Sequence, residues 1–263
     1  MAMIDPTLIK PLLGFQSGRF DVDSLDECDS TSSELSRRAD RGAPSGTVVV
    51  ADRQTAGRGR RGRTWLSSPE GSLTFSLLWR FSGPATRLSG LSLAVGVAVA
   101  QALEELGATH ARLKWPNDVL LETADGFAKL AGILVELSTD RRGTGAVIGI
   151  GLNLLQPEGD LPQPAAGLAD DLPGVPDRHR ILAAMLVSLA DVLDRFDAGG
   201  FAALQSEWQR RHAWQDRPVR VIQDELVEAE GVCLGADSDG ALMVETPVCI
   251  KRILSGDVSL RTL

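Results

Sequence analysis

Apolar positions recur along this chain with two different periods, which predict a mixture of strands and helices. Short apolar runs between turn residues are typical of buried strands, whereas apolar residues three or four positions apart are typical of amphipathic helices. The short runs predict strands at 20–28, 47–51, 72–81, 127–137 and 146–155, with two more around a proline turn inside 110–121. The longer patterns predict helices at 7–13, 29–39, 88–106, 178–197 and 201–208.

The pattern changes at Arg217, after which short strand signals follow one another without helices between them. The sequence Asp-Ser-Asp-Gly at 237–240 is a hairpin signal within this part. Strands are predicted at 219–222, 227–234, 241–245 and 248–253. We therefore predict two domains, a mixed α+β domain at 1–216 and a small β-barrel at 217–263.

The connection between the second and third predicted strands has a distinctive composition. From Gln54 to Trp65, glycines alternate with arginines and no acidic residue occurs. Glycine lets backbone N–H groups turn towards one point, and arginine adds a fixed fork of donors that suits phosphate and carboxylate. The loop is therefore a candidate lid that is flexible alone and is ordered by an anion. By itself the motif leaves open a solvated basic loop or an RGG-like nucleic-acid tether.

The overall composition opposes the nucleic-acid alternative. The chain has 263 residues, a formal net charge of −8 and no tyrosine, and its pI is about 5.0. Non-specific nucleic-acid binding depends on neutralising phosphates, and single strands need aromatic rings on which bases stack. An acidic chain without tyrosine meets neither condition well, so its composition opposes a general nucleic-acid binder.

The cysteines and the apolar stretches indicate neither a secreted nor a membrane protein. Cys28, Cys233 and Cys249 are odd in number and form no CxxC pair, so neither a disulfide framework nor a zinc site is predicted. The most apolar stretch, 91–106, is too short to cross a bilayer, and no signal-peptide pattern occurs at the N-terminus. We therefore expect a reduced, cytoplasmic compartment and no membrane contact.

Lys129 is the anomaly of the predicted strand 127–137. Its neighbours at even spacing are Ala131, Ile133 and Val135, so the pattern places it on an apolar face. Only four of the 27 basic residues are lysines, which makes a lysine on a buried strand a candidate for a compact charge aimed at a small target. The alternative is a side chain that snorkels out at the end of the strand.

Other polar residues occur where predicted elements begin or turn. Asn117 and Asp118 follow a proline at a predicted turn. Their side chains either reach a ligand or an ion there, or only shape the corner as an Asx turn. Ser30 and Thr31 stand at a helix start, and local sequence favours simple capping there. Asn153 closes a Gly-x-Gly-x-Asn pattern that lacks the third glycine and the helix of a dinucleotide fingerprint.

No nucleophile system can be recognised from the residues. The chain has no Gly-x-Ser-x-Gly elbow, no P-loop, no HExxH motif and no Cys/His metal spacing. What remains is a set of anion-handling groups at strand ends and connections. Such a set indicates chemistry on two anionic partners without a covalent enzyme intermediate, in which the protein holds reactants together and neutralises developing charge.

Taken in order, five of these motifs resemble those of biotin protein ligases, which attach biotin to a lysine of a carrier protein. The resemblance covers nearly everything from residue 29 to the C-terminus. The motifs are Asp29-Ser30-Thr31, Gln54-x-x-Gly-Arg-Gly-Arg-Arg-Gly-Arg63, Lys114-Trp-Pro-Asn-Asp118, Lys129-Leu-Ala-Gly-Ile-Leu-Val-Glu136 and Gly149-x-Gly-x-Asn153. The resemblance implies a mixed sheet flanked by helices, akin to class II aminoacyl-tRNA synthetase catalytic domains, followed by an SH3-like barrel.

The resemblance also implies a two-step reaction, in which biotin and ATP form biotinyl-5′-AMP and a carrier lysine then takes the biotinyl group. Lys129 and Arg60 match catalytic positions. Positions implied for biotin are Ser30, Thr31, Gln54, Gly57, Arg58, Gly59, Arg60, Lys129 and Gly132. Positions implied for ATP are Arg60, Arg63, Asn117, Asp118, Lys129 and Asn153, of which Asn117 and Asp118 would face Mg²⁺ carried by ATP.

The sequence departs from the family pattern at three points. Ser32 replaces the asparagine of a Ser-Thr-Asn motif, so it is left out of the expected site. No tryptophan occurs in 157–174, where some members stack one on adenine, so the adenine contact is unassigned. The N-terminal segment has no room for a winged helix-turn-helix, so we expect a ligase without DNA binding.

The expected partner is the biotin carboxyl carrier protein of acetyl-CoA carboxylase, and the sequence leaves a homodimer open. Two other functions compete with this interpretation. A lipoate or octanoate ligase shares the catalytic fold, although the Gly/Arg loop and Lys-Trp-Pro-Asn-Asp favour biotin. A non-catalytic nucleic-acid or anion-binding module would use the arginine loop alone.

Overall fold

The computed structural model describes residues 4–140, 143–159, 161, 163–172, 174, 177–223, 226–254 and 258–262. The α-helices are α1 (Pro6–Leu12), α2 (Thr31–Asp40), α3 (Leu91–Glu105), α4 (Arg178–Gly199) and α5 (Gln205–Arg211). The strands are β1 (Asp21–Cys28), β2 (Thr47–Gln54), β3 (Ser72–Phe81), β4 (Ala111–Lys114), β5 (Asp118–Thr123), β6 (Gly126–Asp140), β7 (Gly143–Asn153), β8 (Pro218–Gln223), β9 (Leu226–Ala236), β10 (Leu242–Glu245), β11 (Ile250–Ile253) and β12 (Val258–Thr262).

A seven-stranded mixed sheet forms the centre of the molecule. Its strand order is β1-β2-β3-β7-β6-β5-β4, with β1 parallel to β2 and the other neighbours antiparallel. The remaining strands form a five-stranded antiparallel sheet in the order β11-β10-β9-β8-β12. The predicted fold class, a helix-flanked mixed sheet with a small C-terminal β unit, is confirmed. The domain division after residue 216 stays a prediction.

The two faces of the mixed sheet are covered to different extents. Positions such as Phe75 and Leu77 of β3 belong to the main core, in which helices α3 and α4 also pack. On the opposite face α2 covers a small cluster that includes Leu35, Leu78 and Val147. Because α2 has only ten residues, the part of this face beyond its N-terminus is left for a cavity.

The C-terminal sheet and the segment that precedes it contact β4 and the turn after β4. The N–H of Ala213, which precedes β8, donates to the carbonyl of Leu113 in β4 at 2.9 Å. The indole N–H of Trp115 donates to the carbonyl of Gly240, in the turn before β10, at 3.0 Å. These bonds hold in place the turn that carries Asn117 and Asp118.

Two helix predictions need correction. The helix predicted at 201–208 is split at Leu204, whose φ of −121° and ψ of −7° are not α-helical. Only the part from Gln205 onward is α-helical. The helix predicted from residue 88 begins at Leu91, because a 3-10 turn ends at Leu88 and Gly90, the N-cap residue of α3, has φ +78°. In addition, β12 was not predicted, although it pairs with β8.

Within the described residues, no helix has both the length and the apolar character required to span a membrane.

Candidate active site

A cavity of about 290 Å³ lies on the sheet face beside the N-terminus of α2. Its walls come from the Gly/Arg loop, the ends of β2, β5, β6 and β7, and the connector that follows β7. Sequence-predicted site residues that line it are Ser30, Thr31, Gln54, Arg58, Gly59, Arg60, Arg63, Asn117, Asp118, Lys129, Gly132 and Asn153. Gly57 is buried but is not among the lining residues.

Strand β7 provides a scale along the cavity. Gly149, Gly151 and Asn153 point to the same face, because side chains alternate along a strand. At about 3.3 Å per residue the outer two are roughly 13 Å apart. Hydroxyl groups lie near Gly149, an indole ring covers Gly151 with the Lys129 ammonium beside the paired Gly132, and Asn153 contacts the backbone carbonyl of Lys129. The cavity therefore has a hydroxyl end and a cationic end.

The hydroxyl end is built on the first turn of α2. The Thr31 N–H donates to Gln54 Oε1 at 2.8 Å, and the Thr31 hydroxyl contacts the same oxygen at 3.3 Å. Ser30 stands at the N-cap position, but its side chain makes no capping hydrogen bond and is 2% exposed. The capping explanation favoured from local sequence is therefore wrong for the Ser30 side chain. Ser32, which was left out of the expected site, also lines the cavity.

Asp29 fixes the backbone that leads into this turn. Its carboxylate accepts the N–H of Ser30 at 2.8 Å and two hydrogen bonds from Arg37 at 2.8 and 2.9 Å. The hydrogen bonds from Arg37 lower the pKa of Asp29 to about 2. Asp29 therefore stays ionised at neutral pH and holds Ser30 at the cavity wall.

The Gly/Arg loop folds into a compact hairpin over the cavity. Arg58 and Thr64 form an antiparallel bridge, and the Trp65 N–H donates to the carbonyl of Gly57 at 2.9 Å. The turn between them places Arg61 at φ +57° and Gly62 at φ +71°. Gly57 thus supports the base of the hairpin, where a Cβ would collide with the carbonyl of Trp65.

Arg58 ties this hairpin to two neighbouring elements. Its guanidinium contacts both carboxylate oxygens of Glu136 on β6, at 2.5 and 3.2 Å. It also donates to the hydroxyl of Ser33 on α2 at 3.3 Å. Arg58 therefore stabilises the closed position of the loop.

Trp65 was missed by sequence reasoning and covers the middle of the cavity floor. Gly132 and Gly151 are paired across β6 and β7, and the indole lies on both. A Cβ at Gly151 would be 2.5 Å from Trp65 Cζ2, and a Cβ at Gly132 would be 3.2 Å from Cζ3. The Trp65 Nε1 is buried against Gly151 without a hydrogen-bond partner in the described structure.

Lys129 anchors the cationic end. Its Nζ lies 2.7 Å from Asp118 Oδ1, and its side chain is 21% exposed. The sequence pattern placed Lys129 on the face of Ala131, which is wrong. A β-bulge lets Leu120 pair with Lys129 while Val119 pairs with Ala131, so Leu130 is the extra residue. The bulge moves Lys129 to the cavity face, which it shares with Gly132.

Arg60 and Asn117 face each other beside this ion pair. Arg60 Nη1 donates to Asn117 Oδ1 at 3.2 Å, and Asn117 Nδ2 donates to the carbonyl of Ile133 at 2.9 Å. These contacts cross to other elements, so Asn117 does more than shape a local turn. Burial lowers the pKa of Arg60, and the positive charge of Arg63 lowers it further. A guanidinium crowded in this way is stabilised by an anionic ligand.

Asn153 joins the strand of Lys129 to the connector. Its Nδ2 lies 3.2 Å from the carbonyls of both Lys129 and Ala166. Lys129 also pairs with Ala165 in a parallel bridge, supported by hydrogen bonds to Pro164 and Ala166. The connector thereby completes the cavity wall next to Lys129. Asn153 orients backbone at this end.

A sequence signal for the hydroxyl end was available in β3. Ser72, Thr74 and Ser76 alternate with Leu73 and Phe75, so small hydroxyl residues occupy one face of a buried strand. That face is the one on which the cavity lies. Polar residues on a strand buried on both sides indicate a site.

The arrangement can hold an anion and neutralise charge that develops on it. Lys129, Arg60 and Arg63 supply cations at one end, while the other end offers hydroxyl and amide groups to a neutral polar group. Among the described residues, no group of three or more His, Cys, Asp or Glu side chains could hold a metal ion. One carboxylate and one amide, Asp118 and Asn117, suit Mg²⁺ that brings phosphate oxygens with it.

Comparison with protein families gives two matches. The profile of the Biotin/lipoate A/B protein ligase family matches residues 27–153. The profile of the Biotin protein ligase C terminal domain matches residues 216–261. The first match includes every polar residue described above at the hydroxyl and cationic ends up to Asn153.

Individual proteins agree with these matches. The bifunctional ligase/repressor BirA of Escherichia coli (strain K12) is 38% identical over 96% of this chain and 78% of its own length. The biotin–[acetyl-CoA-carboxylase] ligase of Paracoccus denitrificans is 34% identical over 89% of this chain and 98% of its own length. The biotin protein ligase of Aquifex aeolicus, solved in complex with biotin and ATP, superposes with a TM-score of 0.77 at 32% identity, covering 92% of this chain and 99% of that one.

Proposed function

This chain belongs to the biotin protein ligase family, and on that basis we propose that it forms biotinyl-5′-AMP from biotin and ATP and transfers the biotinyl group to a lysine of a carrier protein. The observation that carries the proposal is the two-ended cavity. A hydroxyl and amide end suits the cyclic urea of biotin, and a cationic end suits carboxylate and phosphate. Lys129 belongs to the cationic end, beside the glycine pair at the middle of the cavity.

In the first step a biotin carboxylate oxygen attacks the α-phosphorus of ATP and diphosphate leaves. Two anions must approach each other, and at about 4 Å two unit charges repel by roughly 4 kcal/mol at an effective dielectric constant of 20. Lys129 would lie beside both groups and offset this repulsion. Arg60 and Arg63 would hold the phosphate oxygens. These contacts strengthen as charge develops, which lowers the barrier.

In the second step the amine of a carrier lysine attacks the carbonyl carbon of the mixed anhydride, and AMP leaves. The anhydride must survive until the carrier arrives, so water has to be excluded. The hairpin of the Gly/Arg loop, seated by Trp65 on the glycine pair and by Arg58 on Glu136, provides this cover.

Mg²⁺ fits the donor set at the cationic end if ATP supplies most of its ligands. The oxygens of Asn117 and Asp118 would face the ion, whose charge would offset that of the phosphates. In the described structure these oxygens contact Arg60 and Lys129. Loading with ATP would therefore exchange protein–protein contacts for contacts to phosphate.

The proposed acceptor is the carrier protein of acetyl-CoA carboxylase, since relatives such as the Paracoccus enzyme are named for that substrate. The test is mass spectrometry of the purified protein after incubation with ATP, Mg²⁺ and equimolar biotin and lipoate. We expect bound biotinyl-AMP, and biotin on the carrier lysine once carrier is added. Formation of lipoyl-AMP instead would make lipoate the substrate, and the absence of both adenylates would refute the proposed reaction.

Arg60→Ala is expected to release the intermediate early. Hydrogen bonds to a charged group contribute about 1.5–3 kcal/mol, so dissociation of biotinyl-AMP should accelerate by roughly 10- to 100-fold. The measurement is biotin labelling of an unrelated protein, because free adenylate reacts with any exposed lysine. Arg53→Ala is the control. Arg53 lies near the end of β2, just before the loop that carries Arg60, and its guanidinium pairs with Glu27. Labelling confined to the true carrier would contradict the role given to Arg60.

A further inference from the structure

Ser76 is a buried residue close to the cavity that the proposed reaction does not use directly. It lies in the middle of β3 and is 0% exposed. Its Oγ is 2.9 Å from the Thr31 hydroxyl and 3.0 Å from the Ser32 hydroxyl. Three hydroxyl groups from two elements are thus joined behind the hydroxyl end of the cavity.

The glycine at position 149 makes this cluster possible. Ser76 pairs directly with Gly149 across β3 and β7, so both face the cavity side of the sheet. A Cβ at Gly149 would overlap the Ser32 hydroxyl oxygen and lie 3.5 Å from that of Ser76. The space that a side chain would fill on β7 is occupied by the hydroxyl groups.

The hydrogen bonds of this cluster run in one direction. The Thr31 N–H is a donor, so the side-chain atom of Gln54 that it contacts must be the oxygen, and the Thr31 hydroxyl must donate to the same oxygen. Ser76 must then donate to Thr31, and Ser32 must donate to Ser76. Each hydroxyl has a single proton, so the whole chain from Ser32 to Gln54 is determined.

This direction decides what the cavity offers to a ligand. Every hydroxyl proton is used inside the cluster, so Thr31 and Ser32 present lone pairs, and the Gln54 amide keeps its two N–H donors. A cyclic urea carries two N–H donors and one carbonyl acceptor, which matches such a surface. Cooperative chains of this kind polarise one another, so loss of one member affects the rest.

We propose that Ser76 is a positioning residue that sets the hydroxyl orientation of Thr31 and Ser32 and thereby the affinity for the urea group of biotin. This inference rests on the proposed function. Without Ser76 the Ser32 hydroxyl loses its acceptor and can rotate to point its proton towards the urea N–H groups, whereas the Thr31 hydroxyl loses the donor that polarises it. Binding of biotin then weakens, whereas ATP binding and the chemical step at Lys129 are unchanged.

The test is Ser76→Ala, with steady-state KM and kcat for adenylate formation and direct calorimetric binding of biotin without ATP. We expect the KM and Kd for biotin to rise roughly 10-fold, in line with the loss of one buried hydrogen-bond partner, while kcat and the KM for ATP stay within about twofold. Ser76→Cys, which keeps a weak donor and acceptor of similar size, should restore part of the loss.

Ser188→Ala is the matched control, because Ser188 is a serine on α4 that is 5% exposed and lies outside the site. It should not change the KM for biotin. An unchanged biotin Kd in folded Ser76→Ala, or a lower kcat with unchanged KM, would overturn the role of Ser76 and leave the proposed function intact. If the parent protein binds no biotin in the same calorimeter, both proposals fail together.

Discussion

Lys129→Ala is expected to reduce the rate of biotinyl-AMP formation by roughly 10²–10³-fold, the usual effect of removing one group that stabilises transition-state charge. Lys129 is the cation whose Nζ is 2.7 Å from Asp118 and whose Cε and Nζ lie next to Gly132, in the middle of the cavity. The measurement is the single-turnover rate of diphosphate release with saturating biotin and ATP. Because the effect falls on the chemical step, kcat should fall far more than the KM for biotin rises.

Folding must be separated from chemistry in this experiment. Removal of Lys129 leaves the Asp118 carboxylate, which is 16% exposed, without its ion-pair partner, and such a group can destabilise the fold. Lys129→Met fills the same volume without charge and should be equally slow, with a thermal midpoint that shows the protein is folded. Lys10→Ala, on the exposed side of α1, should react at the parent rate. A folded Lys129→Met protein with near-parent turnover would remove Lys129 from the mechanism.

Gly151→Ala is expected to reduce adenylate formation by about 10²-fold, because misplacement of reacting groups by about 1 Å has effects of this size. The new Cβ would lie 2.5–2.6 Å from Cζ2 and Nε1 of Trp65. Real Cβ atoms do not approach a ring so closely, so the indole must leave the glycine pair. The hairpin that carries Arg58 and Arg60 moves with it. The measurements are the single-turnover rate of adenylate formation, which should fall, and tryptophan fluorescence, which should change as the indole leaves the glycine pair.

A double-mutant cycle tests whether the clash is the cause. In a Trp65→Ala background no indole remains to be displaced, so adding Gly151→Ala should change the rate by less than about twofold. Equal losses in both backgrounds would mean that Gly151 acts through the strand itself. Gly18→Ala is the control, because no atom lies within 4 Å of a Cβ built there.

Much of the fold was predictable from local pattern. The strand predicted at 72–81 coincides with β3. The helix predicted at 178–197 matches α4, which continues two residues further, to Gly199. Both have strong periods and clear boundaries, which is why pattern succeeds there. The split at Leu204 was not predictable in this way, because apolar residues continue through it and only the backbone angles change.

The site was predicted as a set of residue types but not as an arrangement. Lys129 was singled out correctly as an anomaly, yet its face was assigned wrongly because period-two counting assumes an unbroken ladder. The bulge at Leu130 breaks that ladder and reverses the face of every position on its other side. A bulge is set by the pairing partner, β5, so the sequence of β6 alone does not reveal it.

The sequence by itself determined which groups this protein could use: glycines and arginines in one loop, one lysine on a buried strand, and amide, carboxylate and hydroxyl groups at strand ends. Those properties are local and can be read from neighbours in the chain. Only the tertiary structure decided that Ser32 and Ser76, 44 positions apart, share a hydrogen bond, and that Trp65 lies on Gly151. Such contacts depend on strand order and register, which are fixed by burial of the whole sheet rather than by any one segment.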